Sequence, residues 1–331
     1  TRTILTNARI VLKDTADAEK PFDVEVSVDR GDATYAFPLP QAPDGGFLDG
    51  ALKGWGEEES FQSSPSYVEI SGVQLADTRG ESLEAIRQAV WEHGVALFRD
   101  QDFGPEQHIS FAKAWGGIDL NSYFPLTDAY PEIAVVGKRP DQVTNIGGGW
   151  HTDHSYDPVP AMGSILVARE LPPTGGDTLF AHMGAAYDAL PDDLKAEIAG
   201  LEAFHTADHV YSTEGFYART DIGESLRGKE VTTGATHPVV VRHPQTGRKL
   251  LYVNAAFTTH IVGQTREESM PLLQKLFAAA LLPENQARVV WRPGSVAIWD
   301  NRTTWHMAMN DYQGHAREMH RITLTGEPLA A

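Results

Sequence analysis

The residue types best suited to bind a metal ion stand in two stretches that lie far apart in the sequence. The first contains His151 and Asp153, with a single residue between them. On an extended strand this spacing projects an imidazole and a carboxylate from the same face. The second stretch, Trp299–His306, offers His306 as a third ligand. Two histidines and one carboxylate form the facial triad that holds non-haem Fe(II) and leaves coordination positions open.

Two arginines follow the third ligand closely. Arg317 comes eleven residues after His306, and Arg321 four residues later. Three protein ligands leave room for O₂ and a chelating 2-oxo acid, whose far carboxylate needs a bidentate cationic partner; arginine supplies this better than lysine. We therefore expect Arg317 to bind that carboxylate, with the Thr178 hydroxyl as a further donor. Because Arg321 has no evident neutralising role near the metal, we expect it to bind an anionic substrate.

The order of these motifs carries more weight than any one of them. With 13 histidines in the chain, a His-x-Asp pair arises easily by chance, and Arg317 or Thr178 alone would more often be structural. Here a glycine triplet at 147–149 precedes the pair, and a Gly-Gly-Asp-Thr turn ending at Thr178 follows it. The sequence contains neither a dinucleotide fingerprint nor a phosphate loop.

Composition narrows the class of protein. A chain of 331 residues suffices for one large domain or two small ones, and 41% hydrophobic with 22% charged residues is ordinary for a globular protein. The 30 glycines and 20 prolines favour many short strands and turns. A formal charge of −18 argues against nucleic-acid or anionic-membrane partners, so a small-molecule anion would have to be held by local arginines.

The sequence contains no cysteine, which excludes disulfides, thiolate zinc sites, iron–sulfur clusters and cysteine nucleophiles. This is compatible with a reducing cytoplasm. Residues 1–7 lack an apolar signal core, and no stretch approaches 18 apolar residues. We therefore predict a cytoplasmic protein without a membrane span.

Residues 1–64 are predicted to form a β-rich N-terminal extension and linker, and residues 65–331 the main domain. In the extension, Asp23–Val28 alternates as a half-buried strand does, and Ala8–Leu12 is its expected partner. Turn and linker residues fill 54–66. The extension contains no catalytic constellation, so we expect it to supply extra strands or an oligomer contact.

Helical spacing predicts helices at Ser82–Trp91, with Ser82 as N-cap, and at Pro105–Trp115 and Glu267–Leu281. Strands are predicted on both sides of the metal motif, at Val68–Ile70, Val95–Phe98, Ser164–Ala168, Pro238–Arg242, Lys249–Val253, Val289–Arg292, Ser295–Trp299 and Arg317–Leu324. This pattern indicates a mainly β (α+β) fold. We expect a double-stranded β-helix, or jelly roll, with flanking helices and the metal site inside one open end.

The chain resembles the taurine dioxygenase-like (TauD/TfdA) family of Fe(II)/2-oxoglutarate-dependent dioxygenases, which also includes alkylsulfatase and aryloxyalkanoate enzymes. The resemblance covers roughly residues 67–328. The motifs that carry it, in the family's order, are Val95–Gln101, Trp150–Asp153, Leu171–Leu179, Val253–Thr259, Trp299–Asn301, His306 and Arg317–Arg321.

The resemblance implies a role for each matching residue. His151, Asp153 and His306 match the iron ligands, and Thr178 and Arg317 match the residues that hold 2-oxoglutarate. The implied cofactors are Fe(II), 2-oxoglutarate as co-substrate, and O₂, with succinate and CO₂ as co-products. The family often forms dimers or tetramers, so a homo-oligomer is expected. An aspartate at the carboxylate position argues against halogenation and makes hydroxylation the default, with desaturation, epoxidation or ring formation left open.

On the substrate side, Arg321 matches an arginine that grips an anionic group, and Phe257 matches an aromatic wall of the pocket. Asn121 stands where the taurine enzyme has a sulfonate-binding histidine, which puts taurine itself in doubt. By position, three more side chains are expected to line the pocket. The predicted substrate contacts are Asn121, Tyr123, His154, Tyr156, Phe257 and Arg321.

Two other functions fit the same residues. A redox-inert isomerase or hydrolase could use a His₂-carboxylate site for Zn²⁺ or Mn²⁺ on the same fold, but Arg317 would then have little purpose. A non-catalytic binding module is the second alternative, against which stand the intact triad and both arginines. We predict a dioxygenase that oxidises a C–H bond of a small, anionic organic molecule.

Overall fold

The computed structural model describes residues 67–226 and 234–331, and the backbone of three earlier strands. The helices are Gly80–His93 (α1), Pro105–Trp115 (α2), Met183–Ala189 (α3), Asp192–Ile198 (α4), Asp208–Tyr211 (α5) and Arg266–Ala280 (α6). The strands are Asn7–Asp14 (β1), Phe22–Asp29 (β2), Thr34–Pro38 (β3), Val68–Ser71 (β4), Val95–Phe98 (β5), Ile118–Asp119 (β6), Ala134–Lys138 (β7), Gly163–Glu170 (β8), Thr178–His182 (β9), Glu202–Thr206 (β10), Gly234–Pro238 (β11), Val240–Arg242 (β12), Lys249–Leu251 (β13), Thr258–Ile261 (β14), Gln286–Val289 (β15), Val296–Asp300 (β16), Thr304–Ala308 (β17) and Arg317–Leu324 (β18). Within the described ranges, no helix is long and apolar enough to cross a bilayer.

A large sheet forms one wall of the fold. Its strands run in the order β3-β2-β1-β4-β5-β16-β8-β18-β6, and β7 also pairs with β18. A smaller sheet, β15-β9-β17, faces it. Apolar side chains of the large sheet, such as Leu166 and Met319, pack between the sheets with Phe180 of β9. Two packed sheets with helices outside them confirm the predicted jelly roll with flanking helices.

The outer face of the large sheet is covered by helices. Because side chains alternate along a strand, Ile165 and Ile322 point away from the inner core and pack against α1 and α2. Helix α1 buries Leu83, Ile86 and Val90 on this face, as their spacing predicts. The opposite faces of β8 and β18 are thereby left to line the interior of the jelly roll.

The predicted start of α1 is wrong by three residues. Arg79, not Ser82, is the N-cap, and Ser82 lies inside the first turn, where its hydroxyl accepts a hydrogen bond from the Arg79 N–H. A serine at the third helical position accepts from the N-cap N–H, whereas an N-capping serine accepts from an N–H two or three residues later. Serine is suited to both positions, so sequence alone does not separate them. Gly94 ends the helix at φ 77°, and a Cβ there would lie 2.7 Å from the Thr304 side chain.

The two predicted N-terminal strands pair antiparallel, with Ala8 opposite Val28 and Ile10 opposite Val26. Strand β1 also pairs in parallel with β4, which extends the large sheet. The linker expected at 54–66 lies outside the described residues, and the domain boundary at residue 64 stays a prediction. Elsewhere the bounds of α2 and β18 match the prediction, whereas the strand expected at Val289–Arg292 runs instead from Gln286 to Val289.

A buried ionic network fixes the turn between β16 and β17, the strand that carries His306. Asp300 accepts hydrogen bonds from the backbone N–H and the guanidinium of Arg302, and its other side contacts His243 Nε2 at 3.0 Å. Asp300 and His243 are fully buried. Burial alone would raise the pKa of Asp300, but Arg302 and His243 hold that pKa well below its ordinary value. The carboxylate is therefore charged and paired at neutral pH.

We expect Asp300→Asn to lower the free energy of unfolding by about 3–5 kcal/mol, because it removes the buried counter-charge of Arg302 and leaves only the exposed Glu327 as its partner. The urea midpoint of unfolding measures this. Asp188→Asn is the control: it removes an exposed pair with Arg248, and its cost should stay within about 1 kcal/mol. Equal midpoints for the two variants would show that the network does not anchor the turn.

Candidate functional site

Three buried side chains converge inside the jelly roll. One ligand atom each from His151, Asp153 and His306 lies within 4.8 Å of the other two. The Nε2 atoms of the two histidines are each 3.6 Å from an Asp153 carboxylate oxygen. Residues 67–226 and 234–331 contain no second group of this kind. The structure thus brings together the three residues predicted to be metal ligands.

A backbone bridge aligns the two histidines. The N–H of His306 donates to the carbonyl of His151 at 2.7 Å, and the N–H of His151 donates back to His306 at 3.1 Å. Beyond this bridge the chain leaves the strand conformation, and Asp153 lies in a turn, where the next residue, His154, has φ 61°. The expectation that His151 and Asp153 share one face of a strand is therefore wrong. The turn, not strand alternation, carries the carboxylate to the imidazoles.

The protonation of the triad suits a divalent cation. His151 Nδ1 lies 2.8 Å from the Gly149 carbonyl, which can only accept, so Nδ1 carries the proton and Nε2 is free to bind a metal. Burial lowers the pKa of His306 to about 3. Burial would raise the pKa of Asp153, but Arg321 and the two histidines hold it well below the ordinary value. Two imidazoles and one carboxylate are the donor set that Fe(II) accepts, so these residues fit the metal.

Arg321 lies directly beside the triad. Its Nη1 donates to Asp153 Oδ2 at 3.0 Å, and its guanidinium lies 4.8 Å from the centre of the Phe124 ring. The expectation that Arg321 has no neutralising role is therefore wrong, because it pairs with the carboxylate of the triad. Its buried Nε has no partner among the described residues. An anion bound to Arg321 would consequently lie next to the metal ligands.

Arg317 lies four residues earlier on β18, on the same inward face as Arg321. Its Nε donates to the Gly176 carbonyl at 3.0 Å. Its Nη2 is buried and unpartnered, and within the described part of the chain no carboxylate lies within ion-pair distance. Burial lowers the pKa of this guanidinium. A buried cation with a free N–H is the partner expected for a ligand carboxylate.

Trp291 links Arg317 to Thr178, and sequence reasoning missed it. Its indole N–H donates to Thr178 Oγ1 at 3.0 Å, and its ring centre lies 6.0 Å from Arg317 Cζ. Because Thr178 Oγ1 accepts from the indole, its own hydroxyl proton is free to be donated to a ligand oxygen. The sequence placed Trp291 in a strand, and nothing in its spacing distinguished it from a core tryptophan.

An aromatic wall adjoins the triad. Phe257 meets the His151 ring edge-on at 6.2 Å, and Tyr156 meets Phe257 at 4.9 Å. Tyr123 stacks on Tyr211 at 4.8 Å. Burial holds the pKa of Tyr156 and of Tyr211 well above the ordinary value, so both hydroxyls are neutral. Sequence reasoning missed Tyr211, which lay in a stretch without periodicity. The members of this aromatic wall are Tyr123, Phe124, Tyr156, Tyr211, Tyr217 and Phe257.

The two remaining predicted substrate residues have structural contacts of their own. Asn121 Oδ1 accepts from the backbone N–H groups of Tyr123 and Phe124, so it shapes the loop that presents both rings. His154 Nδ1 lies 2.7 Å from an Asp157 carboxylate oxygen, while its Nε2 is buried without a partner among the described residues. Their contacts with a substrate stay predictions.

The chain matches the model of the "Taurine catabolism dioxygenase TauD, TfdA family" over residues 58–323. It is 35% identical to an alkylsulfatase of Acinetobacter baylyi, over 78% of this chain and 82% of that protein. It is 33% identical to an (S)-phenoxypropionate/alpha-ketoglutarate-dioxygenase of Sphingobium herbicidovorans, over 78% of this chain and 91% of that protein.

Solved structures of dioxygenases are similar to this chain as well. A taurine dioxygenase from Burkholderia xenovorans superposes with a TM-score of 0.66 at 33% identity, covering 80% of this chain and 87% of the other. The enzyme AAD-2, in complex with Mn(II) and N-oxalylglycine, superposes with a TM-score of 0.65 at 30% identity, covering 79% of this chain and 94% of the other.

These matches cover most of the chain and include the triad, so the protein belongs to the TauD/TfdA family. It is an Fe(II)/2-oxoglutarate-dependent dioxygenase, which uses O₂. The redox-inert isomerase or hydrolase and the binding module receive no support from the comparisons.

We expect His306→Ala to weaken Mn(II) binding roughly 100-fold or more, because it removes one of three ligands. The signal of free Mn(II) in electron paramagnetic resonance measures this without requiring turnover. His315→Ala, at an exposed histidine, is the matched control and should bind as the wild type does. Equal affinities for both variants would exclude His306 as a ligand.

Proposed function

We propose that His151, Asp153 and His306 bind Fe(II), and that Arg317 and Thr178 bind the far carboxylate of 2-oxoglutarate. The observation that carries the proposal is the state of Arg317, a buried guanidinium with a free Nη2 and no carboxylate partner among the described residues. Its side chain lies on the same strand face as Arg321, which contacts the triad. A redox-inert metal enzyme would gain nothing from such a group.

The chain's own residues supply binding, orientation and shielding. When bound, Fe(II), 2-oxoglutarate and O₂ supply the oxidant for a C–H bond, with succinate and CO₂ as co-products. The His151–His306 bridge fixes the ligand geometry, and the Trp291 N–H orients the Thr178 hydroxyl. The aromatic wall excludes water from the side of the triad next to Phe257.

The proposed substrate is a small organic anion with an apolar body, and hydroxylation is the proposed outcome. Arg321 supports the anion, because its Nε is free and its guanidinium adjoins the triad. The aromatic wall supports the apolar body, since flat, neutral rings stabilise apolar groups. Two relatives are named for a sulfate ester and a phenoxypropionate, which are anions of this description.

The first test is anaerobic addition of Fe(II) and 2-oxoglutarate to metal-free protein. We expect the weak visible charge-transfer band of the chelate in the wild type. In Arg317→Met, which keeps an apolar stem but loses the charge, the band should require about 100-fold more 2-oxoglutarate. Arg139→Met, at an exposed arginine, is the control. A wild-type protein that binds metal but gives no band would exclude the dioxygenase assignment of the site.

The second test addresses the substrate. Alkyl sulfates, alkanesulfonates and aryloxyalkanoates are screened by succinate release, and the best substrate is then compared in wild type and Arg321→Met. We expect the substrate KM to rise more than about tenfold in the variant, because a charge-assisted hydrogen bond is lost. Mn(II) affinity is measured in parallel, because Arg321 also contacts Asp153. An unchanged substrate KM would contradict the role of Arg321.

We also infer a cytoplasmic location and a homo-oligomer of two or four copies. The absence of cysteine supports a reducing compartment. The family resemblance supports the assembly, and residues 1–64 are the proposed extension that contacts a second copy or covers the site.

A further inference from the structure

Lys138 is a buried lysine next to the proposed 2-oxoglutarate site. It ends β7 directly opposite Arg317 of β18, so both side chains point to the same face of the sheet. Only 3% of its surface is exposed. Its Nζ donates to Asn310 Oδ1 and Gln313 Oε1, both at 2.8 Å, and lies 4.5 Å from the centre of the Tyr312 ring. Lysines are rarely buried so deeply without a carboxylate, so this one needs an explanation.

The groups that hold Lys138 all belong to residues 310–313, which we call the strap. At its centre, Asp311 Oδ1 accepts a hydrogen bond from the Gly176 N–H at 2.8 Å. The Gly176 carbonyl in turn accepts from Arg317 Nε at 3.0 Å. Lys138, the strap, the glycine turn and Arg317 therefore form one continuous chain of contacts.

This chain of contacts is closely packed. A Cβ on Gly175 would lie 2.6 Å from Asp311 Oδ1, and a Cβ on Gly176 would lie 3.1 Å from Arg317 Cδ. Both glycines have positive φ, 81° and 71°, so the turn also requires glycine for its backbone. A shift of the strap would therefore be transmitted to Arg317.

The carboxylates near Lys138 and Arg317 are bound to other groups, and Asp311 of the strap accepts from the Gly176 N–H. Within residues 67–226 and 234–331, neither side chain has a carboxylate within ion-pair distance. Asp177 is held by Arg288 at 2.6 Å, and Asp221 accepts from the backbone N–H groups of 143 and 144. An anion bound beside Arg317 would supply the counter-charge that the described residues do not place within ion-pair distance.

We propose that Lys138 is a positioning residue for the co-substrate: it fastens the strap against the glycine turn, holds Arg317 in place and adds positive charge to this end of the site. It acts through the strap and sets the affinity for 2-oxoglutarate, not the affinity for the metal. The proposal rests on the proposed role of Arg317 as the carboxylate-binding residue.

A double-mutant cycle tests this. Lys138→Met removes the ammonium and keeps the stem, and Asp311→Ala releases the strap from the glycine turn. The dissociation constant of 2-oxoglutarate is titrated anaerobically with the Fe(II) charge-transfer band, and Mn(II) affinity and thermal midpoint are measured alongside. We expect each single variant to bind 2-oxoglutarate roughly tenfold more weakly, with Mn(II) affinity within about twofold of wild type.

The double variant decides the mechanism. If both residues act through the strap, the double variant should bind 2-oxoglutarate no more weakly than the single variant with the larger loss. Independent effects would instead multiply to a loss of about a hundredfold. Lys113→Met, at a lysine whose side chain is 63% exposed, is the matched control and should be unchanged. Should Lys138→Met fail to fold, Gln313→Ala replaces it in the cycle, because it removes one of the two amide oxygens that hold the lysine.

Four results would overturn the proposal. Multiplying losses in the double variant would show that Lys138 and the strap act separately, and a parallel loss of Mn(II) affinity would show a general structural role. Absence of the charge-transfer band in the wild type would contradict the proposed function, and the inference that rests on it would fail as well. A normal wild-type band with unchanged affinity in Lys138→Met would refute the inference alone.

Discussion

The pair of backbone hydrogen bonds between His151 and His306 is the constraint on which the site depends. It joins a loop to β17, two segments that are distant in the chain, and places both imidazoles on one side. Side-chain rotamers alone could not hold two ligands from separate segments at a common distance from Asp153. The buried pairing of Asp300 with Arg302 supports the same arrangement, because it fixes the turn that leads into β17.

The interior of the jelly roll contains several buried charged side chains. Asp153 and Arg321 balance each other, and so do Asp300 and Arg302. Arg317 and Lys138 are the described exceptions, since both are buried cations without a carboxylate partner. An unpaired buried charge is costly, so it survives where a ligand supplies the counter-charge or where function requires it. That imbalance distinguishes the co-substrate end of the site from the metal end.

The parts of the fold that sequence predicted well are those with a strong local signal. Strand β18 and helix α2 have the predicted bounds, because alternation and helical spacing report directly which side chains are buried. The sequence also predicted the strands that form the hairpin of β12 and β13, and the pairing of β1 with β2. The cap of α1 was misplaced, because serine bonds to free N–H groups from more than one position.

The sequence by itself determined the ligand types, the order of the motifs and the family. Binding of a metal and of a carboxylate requires particular side chains, and these can be read directly from the sequence. Tertiary structure decided how they meet. It placed Asp153 on a turn, paired Arg321 with that carboxylate, and brought Trp291 beneath Arg317. It also set Lys138 opposite Arg317 through the register of β7 and β18. These relations depend on contacts between distant segments, and such contacts leave no periodicity in the sequence from which they could be inferred.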